Sequence, residues 1–323
     1  MCDTARRMTS SSIPVVDLRD WHEGGAARER FVHGVGESLA EIGFFALAHH
    51  GVPEPLSHAA YDVARRFFGL PLDDKRRYHV PVAKGQRGFT GFGTERAKDS
   101  QTPDLKEFWQ VGRVDVPDDH PVHGPYGPNV WPDDVVADFR PVMSQLYQAL
   151  DGLGAICLEA CARYLGEAPD TFSSMVTESD TIVRVIYYPP TIGAPPGAVR
   201  SAAHEDINLI TLLSGATSEG LELLRRDGTW MPVHVSFDHI VVDSGDMLQN
   251  LTNGLYKSTT HRVVNPRDAS TDRYSMPCFI HPRKEVDLTP MPSAVARTGG
   301  TAEYPGLTAG AYLEKRLREI GLG

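Results

Sequence analysis

The chain has 323 residues with 32 Lys and Arg against 42 Asp and Glu, a formal net charge of −10. That balance excludes the clustered positive charge a nucleic-acid binder needs to neutralise phosphates. Hydrophobic residues make up 41% and charged residues 23%, an ordinary globular composition without a run of 18 apolar residues to span a membrane. Residues 1–12 are polar, carry no apolar stretch of the signal-peptide kind, and read as a disordered tail. Four cysteines (Cys2, Cys157, Cys161 and Cys278) are too few and too scattered for a disulfide framework, so the expected setting is the cytoplasm.

In chain order, Ile13 to Leu18 reads as a short edge strand, because Pro14 cannot donate to a central ladder. Phe31, Val35, Leu39 and Ile42 form one apolar stripe of a helix that Gly43 ends, and Phe44 to Ala48 follows as a buried strand. A second helix is predicted over 54–68 and a short third from Pro71. Helical periodicity returns over 134–164, where Pro141, Gly152 and Gly154 predict kinks or a break. Beyond residue 180 the texture changes to short apolar runs separated by turn residues, at 182–188, 209–213, 221–224, 239–242, 247–251, 257–264 and 274–280. Such spacing marks a sandwich, jelly roll or barrel. Asn253-Gly254 predicts a two-residue hairpin turn. The segment 308–322 is helical again, with Leu313, Leu317 and Ile320 on one face, placed either over the barrel mouth or against a neighbour.

The chemistry concentrates in a few positions. In His204-Glu205-Asp206, a strand would turn His204 and Asp206 to one side and Glu205 to the other. His261 is a third candidate ligand, and two imidazoles with one carboxylate suit ferrous iron with coordination positions left open. No thiolate accompanies them, which argues against structural zinc. Twelve positions past His261, Arg273 and Ser275 share a face of the next apolar run, a guanidinium fork with a hydroxyl that suits a carboxylate ligand. The plainer alternative for Arg273 is a bridge to a surface acid.

These motifs, with Ile13 to Leu18, Gly43 to Val52, Phe67 to Pro71, Tyr187-Tyr188-Pro189-Pro190, Gly245-Asp246, Leu251 to Gly254 and His261-Arg262-Val263, make the chain resemble the isopenicillin N synthase-like family of Fe(II)- and 2-oxoglutarate-dependent oxygenases, from about residue 13 to 320. The resemblance implies a mainly β fold with flanking helices, a double-stranded β-helix (distorted jelly roll). It implies a single oxygenase domain over 13–323, with an N-terminal region of helices and strands at 13–175, a catalytic core at 176–290 and a C-terminal helix at 305–323. His204, Asp206 and His261 would be the catalytic iron ligands. Arg273, Ser275 and Tyr188 would hold 2-oxoglutarate, which is consumed with O₂ to succinate and CO₂ while an unactivated C–H bond is hydroxylated, desaturated or closed into a ring. One departure stands at Ile186, where plant members usually carry Asn.

Arg184 shares the Tyr188 face and is a candidate contact for an acidic group, unless it sits in solvent at the rim. Arg87-Gly88-Phe89 resembles the segment that holds a substrate carboxylate in the peptide-cyclising branch, with Phe89, Phe92, Phe108, Leu251 and Phe279 as candidate apolar walls. The alternative leaves Arg87 and Arg96 as solvated loop charges. The expected partner is a small carboxylated molecule such as an amino acid or a secondary-metabolite intermediate, with no nucleic acid and no membrane; the sequence does not fix the oligomeric state. Two alternatives stay open: an iron oxidase of this fold without 2-oxoglutarate, and a non-catalytic jelly roll binding a small molecule.

Overall fold

The computed structural model describes residues 12–94, 104–195, 197–234 and 236–319. The expected tail at 1–12 therefore lies outside the described residues apart from Ser12, as do Arg96 and Ile320. The chain opens with β1 (Val15–Asp17), α1 (Leu18–Glu23), α2 (Gly25–Glu41), β2 (Phe44–Ala48), α3 (Glu54–Phe68) and α4 (Leu72–Arg76). Then come β3 (Gly88–Thr90), β4 (Glu107–Val111), α5 (Phe139–Leu165), β5 (Ile182–Tyr188), β6 (Ser201–His204), β7 (Ile210–Ser214), β8 (Leu221–Leu224) and β9 (Trp230–Pro232). The chain ends with β10 (Ile240–Ser244), α6 (Asp246–Leu251), β11 (His261–Val263), β12 (Arg273–Ile280), α7 (Pro292–Arg297) and α8 (Ala309–Glu319).

Two sheets form the double-stranded β-helix core. One has eight strands in the order β1-β2-β10-β7-β12-β5-β4-β3, and the other four in the order β6-β11-β8-β9. The larger sheet separates two environments by the period-two alternation of its strands. On β5, Val183 and Val185 pack toward the helices, while Ile182, Arg184, Ile186 and Tyr188 face a central cavity. On β12, Tyr274, Met276, Cys278 and Ile280 take the helix side, and Arg273, Ser275, Pro277 and Phe279 take the cavity side. Pro277 lacks an amide hydrogen, and the β12–β5 pairing that runs through Ser275↔Ile186 resumes only at Cys278↔Val183.

β1 is an edge strand as expected, parallel to β2, and Pro14 takes part only through its carbonyl, which accepts from the Ala46 amide at 2.8 Å. The α2 stop follows from Gly43, whose φ of +73° suits a residue without Cβ; a Cβ there would lie 2.3 Å from the Lys257 carbonyl oxygen.

Several expectations give way to packing. α5 begins at Phe139 rather than near 134, because Asp134 is held outside it by Arg77 at 2.6 Å and by the Tyr78 hydroxyl. It runs 27 residues unbroken. Pro141 lies in its first turn, where no amide hydrogen is required, and Gly154 lets the helix approach β12, since a Cβ would stand 2.8 Å from Ile280 Cδ1. The run 247–251 is helix α6, not a strand, because a short apolar run fits a buried helix equally well. Asn253 and Gly254 have the positive φ values expected (49° and 79°), but they end a helix rather than join two strands. The short strands β3, β4, β6 and β9 carry no clear alternation of their own.

Gly36 of α2 rests on the Tyr164 ring of α5, where an added Cβ would come within 1.9 Å of Cγ. Gly36→Ala is expected to lower stability by about 1–3 kcal/mol, read as a reduced midpoint in thermal or urea unfolding.

Candidate active site

The cavity between the two sheets has a volume of about 210 Å³. At one side of it stand His204, at the end of β6, and His261, which opens β11 directly opposite it. Asp206 is not on a strand; it lies in the loop after β6, held by its carbonyl oxygen accepting the Asp246 amide at 2.7 Å. Glu205 does not turn away from the cavity but borders it, its carboxylate taken up by the Thr260 hydroxyl.

The triad converges. One atom from each of the three residues lies within 4.8 Å of the others, with Asp206 Oδ1 at 3.8 Å from His204 Nε2 and 3.7 Å from His261 Nε2. Each of these three candidate ligands has its other polar atom occupied. Nδ1 of His204 is 2.7 Å from the Ala202 carbonyl oxygen and Nδ1 of His261 is 3.1 Å from that of Thr259, so each ring donates there and keeps its Nε2 lone pair for a cation. Asp206 Oδ2 accepts from the Thr211 hydroxyl, which leaves Oδ1 for the same cation. Desolvation in the barrel, with His261 alongside, lowers the His204 pKa and so favours the neutral ring as a donor. A set of two imidazoles and one carboxylate fits ferrous iron. The described cysteines, Cys157, Cys161 and Cys278, are all buried in the core away from it.

Thr211 carries no sequence motif, yet it orients the carboxylate. Thr211→Val is expected to weaken iron binding by roughly 10–100-fold, measured by competition with a chelator.

Across the cavity, Arg273 is 2% exposed and pairs in register with Tyr188, its guanidinium 5.1 Å from the ring centroid. Nε donates to the Ser218 carbonyl at 3.1 Å, but Nη1 is buried and finds no partner among the described residues. Ser275 lies two residues on, opposite Ile186, and lines the same wall. An orphaned, buried guanidinium nitrogen on a cavity wall fits a ligand carboxylate, because a buried cation without one is costly.

The remaining candidates divide. Arg184 and Phe279 line the cavity: the Arg184 guanidinium lies 4.3 Å from the Phe108 ring centroid and 5.3 Å from that of Phe279, and its Nε donates to Gln110 Oε1 at 3.2 Å. Arg87, Phe89 and Leu251 do not line it. Arg87 is fully buried, so it is not a solvated charge either; its Nη2 donates to Asp180 Oδ1 at 2.6 Å. Phe89 belongs to the aromatic core with Phe67, Leu251 is buried in α6, and Phe92 is an exposed surface ring. Phe108 pairs with Ile186 across β4 and β5 and packs beside it and Tyr188 on the same face of the sheet.

Sequence reasoning missed Gln86, Asp104, Lys106, Gln110 and His281, which line the cavity from short strands and loops without a motif. It also left open the place of α8, whose Leu313, Arg316 and Leu317 close the cavity. The helix is tethered to α6 by Asp246, whose Oδ2 accepts from the Tyr312 hydroxyl at 2.9 Å and pairs with Arg316 Nη2 at 3.6 Å.

This geometry agrees with the comparisons to known proteins. Residues 13–134 match the family described as "non-haem dioxygenase in morphine synthesis N-terminal", and residues 179–282 match the 2OG-Fe(II) oxygenase superfamily. A 2-oxoglutarate-dependent dioxygenase of Aspergillus niger is 33% identical over 279 residues, 85% of each chain. A crystal structure of a 2OG-Fe(II) oxygenase family protein from Caulobacter crescentus superposes with a TM-score of 0.85 at 38% identity, covering 96% of this chain and 99% of that one. A full-length Neurospora crassa protein crystallised in complex with α-ketoglutarate and thymine gives 0.82 at 26% identity, covering 95% and 96%. Among the described residues no helix is long and apolar enough to cross a membrane. The chain belongs to the 2OG-Fe(II) oxygenase superfamily and is a 2-oxoglutarate-dependent iron dioxygenase.

Proposed function

We propose that His204, Asp206 and His261 hold the iron, that Arg273, Ser275 and Tyr188 hold 2-oxoglutarate, and that the substrate is a small carboxylated molecule lying toward Arg184 and Phe279. The observation that carries the reading is the placement of three free ligand atoms and the orphaned Arg273 Nη1 on the walls of one cavity. Iron with 2-oxoglutarate and O₂ supplies the oxidation of an unactivated C–H bond, 2-oxoglutarate leaving as succinate and CO₂. The protein's part is placement. Tied Nδ1 atoms fix two imidazoles, Thr211 fixes the carboxylate, and Arg273 sets the depth at which a dicarboxylate docks. Ile186 and Val263 give that dock apolar sides, and Leu313 and Leu317 of α8 shield it from water. A cavity of about 210 Å³ and the Arg184 guanidinium support a compact, anionic substrate. The free, buried cysteines among the described residues support a cytoplasmic setting, and the acidic net charge supports partners other than nucleic acid.

Anaerobic addition of 2-oxoglutarate to the Fe(II) protein should produce a visible charge-transfer band, and O₂ consumption should depend on 2-oxoglutarate. Absence of the band would sink the assignment of Arg273 and of the triad together.

A further inference from the structure

Beyond Arg184 the cavity narrows into a recess beneath α8, and four residues line both spaces: Gln86, Ile182, His281 and Leu313. Two are apolar walls. The other two carry nitrogen atoms that nothing among the described residues satisfies. Gln86 is 4% exposed, and its amide nitrogen finds no partner there. Nδ1 of His281 is likewise buried and unpartnered. Burial pushes the His281 pKa down to about 4, so the ring is neutral and adds no charge to the recess. A buried amide left without a partner costs free energy unless a ligand or a water completes it.

The structure also goes to some length to place Gln86. The turn before it uses left-handed backbone at Lys84 (φ 48°) and Gly85 (φ 73°). The Gly85 carbonyl accepts from the Gln110 amide, and the Gln86 carbonyl accepts from Arg87 Nη1 at 2.7 Å. Arg87 is itself locked by Asp180 at 2.6 Å and lies flat on Gly112, where a Cβ would come within 2.3 Å of Cζ. The charge of Arg87 is spent inside the protein, and its effect on the cavity passes through its neighbour.

We propose that Gln86 is a specificity-determining residue whose amide donates to a carbonyl or carboxylate oxygen of the substrate beside the His281 ring, with Arg87 as its positioning residue. This rests on the site reading above, since it assumes that the substrate occupies the end of the cavity away from Arg273. The shared chemistry is an sp² oxygen acceptor, and two probes separate its sources: thymine, which offers neutral ring carbonyls, and L-proline, which offers a carboxylate on a compact body. Pyrrolidine, with no oxygen, is the control.

The test titrates each probe into the anaerobic Fe(II) protein loaded with 2-oxoglutarate and follows the visible and near-infrared bands of the iron. Formation of the charge-transfer band before any probe is added reports the site reading by itself, so its failure is separate from failure of this inference. Thymine or L-proline should perturb the wild-type spectrum at concentrations where pyrrolidine does not. Gln86→Leu should raise the apparent Kd of that probe about tenfold or more, the loss typical of one buried hydrogen bond left unmade. Gln86→Glu should weaken L-proline most if the acceptor is a carboxylate, through lost donation and like-charge repulsion, and should weaken thymine while leaving L-proline unchanged if it is a carbonyl. Arg87→Lys should shift the same Kd in the same direction while the charge-transfer band persists. The proposal is overturned if neither oxygen-bearing probe perturbs the wild-type protein, if pyrrolidine does so equally well, or if Gln86→Leu binds the probe within about twofold of wild type.

Discussion

His204→Ala and Asp206→Ala each abolish stoichiometric iron binding and turnover while the protein keeps its fold. The two parts of this result have different causes. Iron affinity depends on three donors that meet within 4.8 Å, and removing any one leaves two donors for a cation that needs a full face. Asp206 is the more severe loss, because it removes the only negative charge in the triad, while the Thr211 hydroxyl keeps its contacts to Asn208. The fold survives because neither side chain belongs to the apolar core: both project into the cavity, and the Asp206 backbone stays anchored by its carbonyl on the Asp246 amide. Iron content by metal analysis, set beside the circular dichroism melting curve of each variant, separates the two parts. Normal iron content in either variant refutes the triad.

The second large effect concerns Arg273. Arg273→Gln raises the 2-oxoglutarate requirement by roughly ten- to a hundredfold, the equivalent of losing a charged contact worth about 1.5–3 kcal/mol. The same substitution removes a buried guanidinium nitrogen without a partner among the described residues together with the Nε contact to the Ser218 carbonyl, so the ligand-free melt of each protein serves as its own baseline. What collapses is the stabilisation conferred by 2-oxoglutarate, which scales with ligand affinity. Thermal melts with and without 2-oxoglutarate therefore discriminate: an undiminished ligand-induced rise in Tm places the cosubstrate elsewhere.

The parts of the site that lie on long, alternating strands were legible in the sequence. Arg184, Ile186 and Tyr188 on β5, and Arg273 and Ser275 on β12, face the cavity because period two leaves them no other direction once their neighbours pack on the helices. The core helices read well for a similar reason, and α3 matches its expected limits of 54–68. What failed depended on contacts between distant segments. Asp206 reaches the triad from a loop, and a strand pattern placed it there only by coincidence of spacing. Arg87, a candidate substrate contact by resemblance or else a solvated charge, is neither, since an exposed charge and a fully buried one look alike in sequence; the partner that absorbs it, Asp180, is 93 residues away. Leu251 sits in a six-residue helix, too short for periodicity to distinguish from a strand. Thr211, Gln86 and His281 are visible only as side chains brought to one cavity by the sheet order.

The tether at Asp246 has a bearing on how this protein could be reshaped for bulkier molecules. Its backbone amide holds the loop that carries Asp206, the proposed iron ligand, while its carboxylate holds the helix that roofs the cavity. Enlarging the entrance by cutting the Tyr312 or Arg316 contacts strips donors from a carboxylate that is only 8% exposed, one peptide hydrogen bond away from Asp206. Trimming Leu313 or Leu317 instead opens the same roof from its apolar side and leaves Asp246 as it is. Access and metal grip are thus joined at one residue but can be engineered through two others.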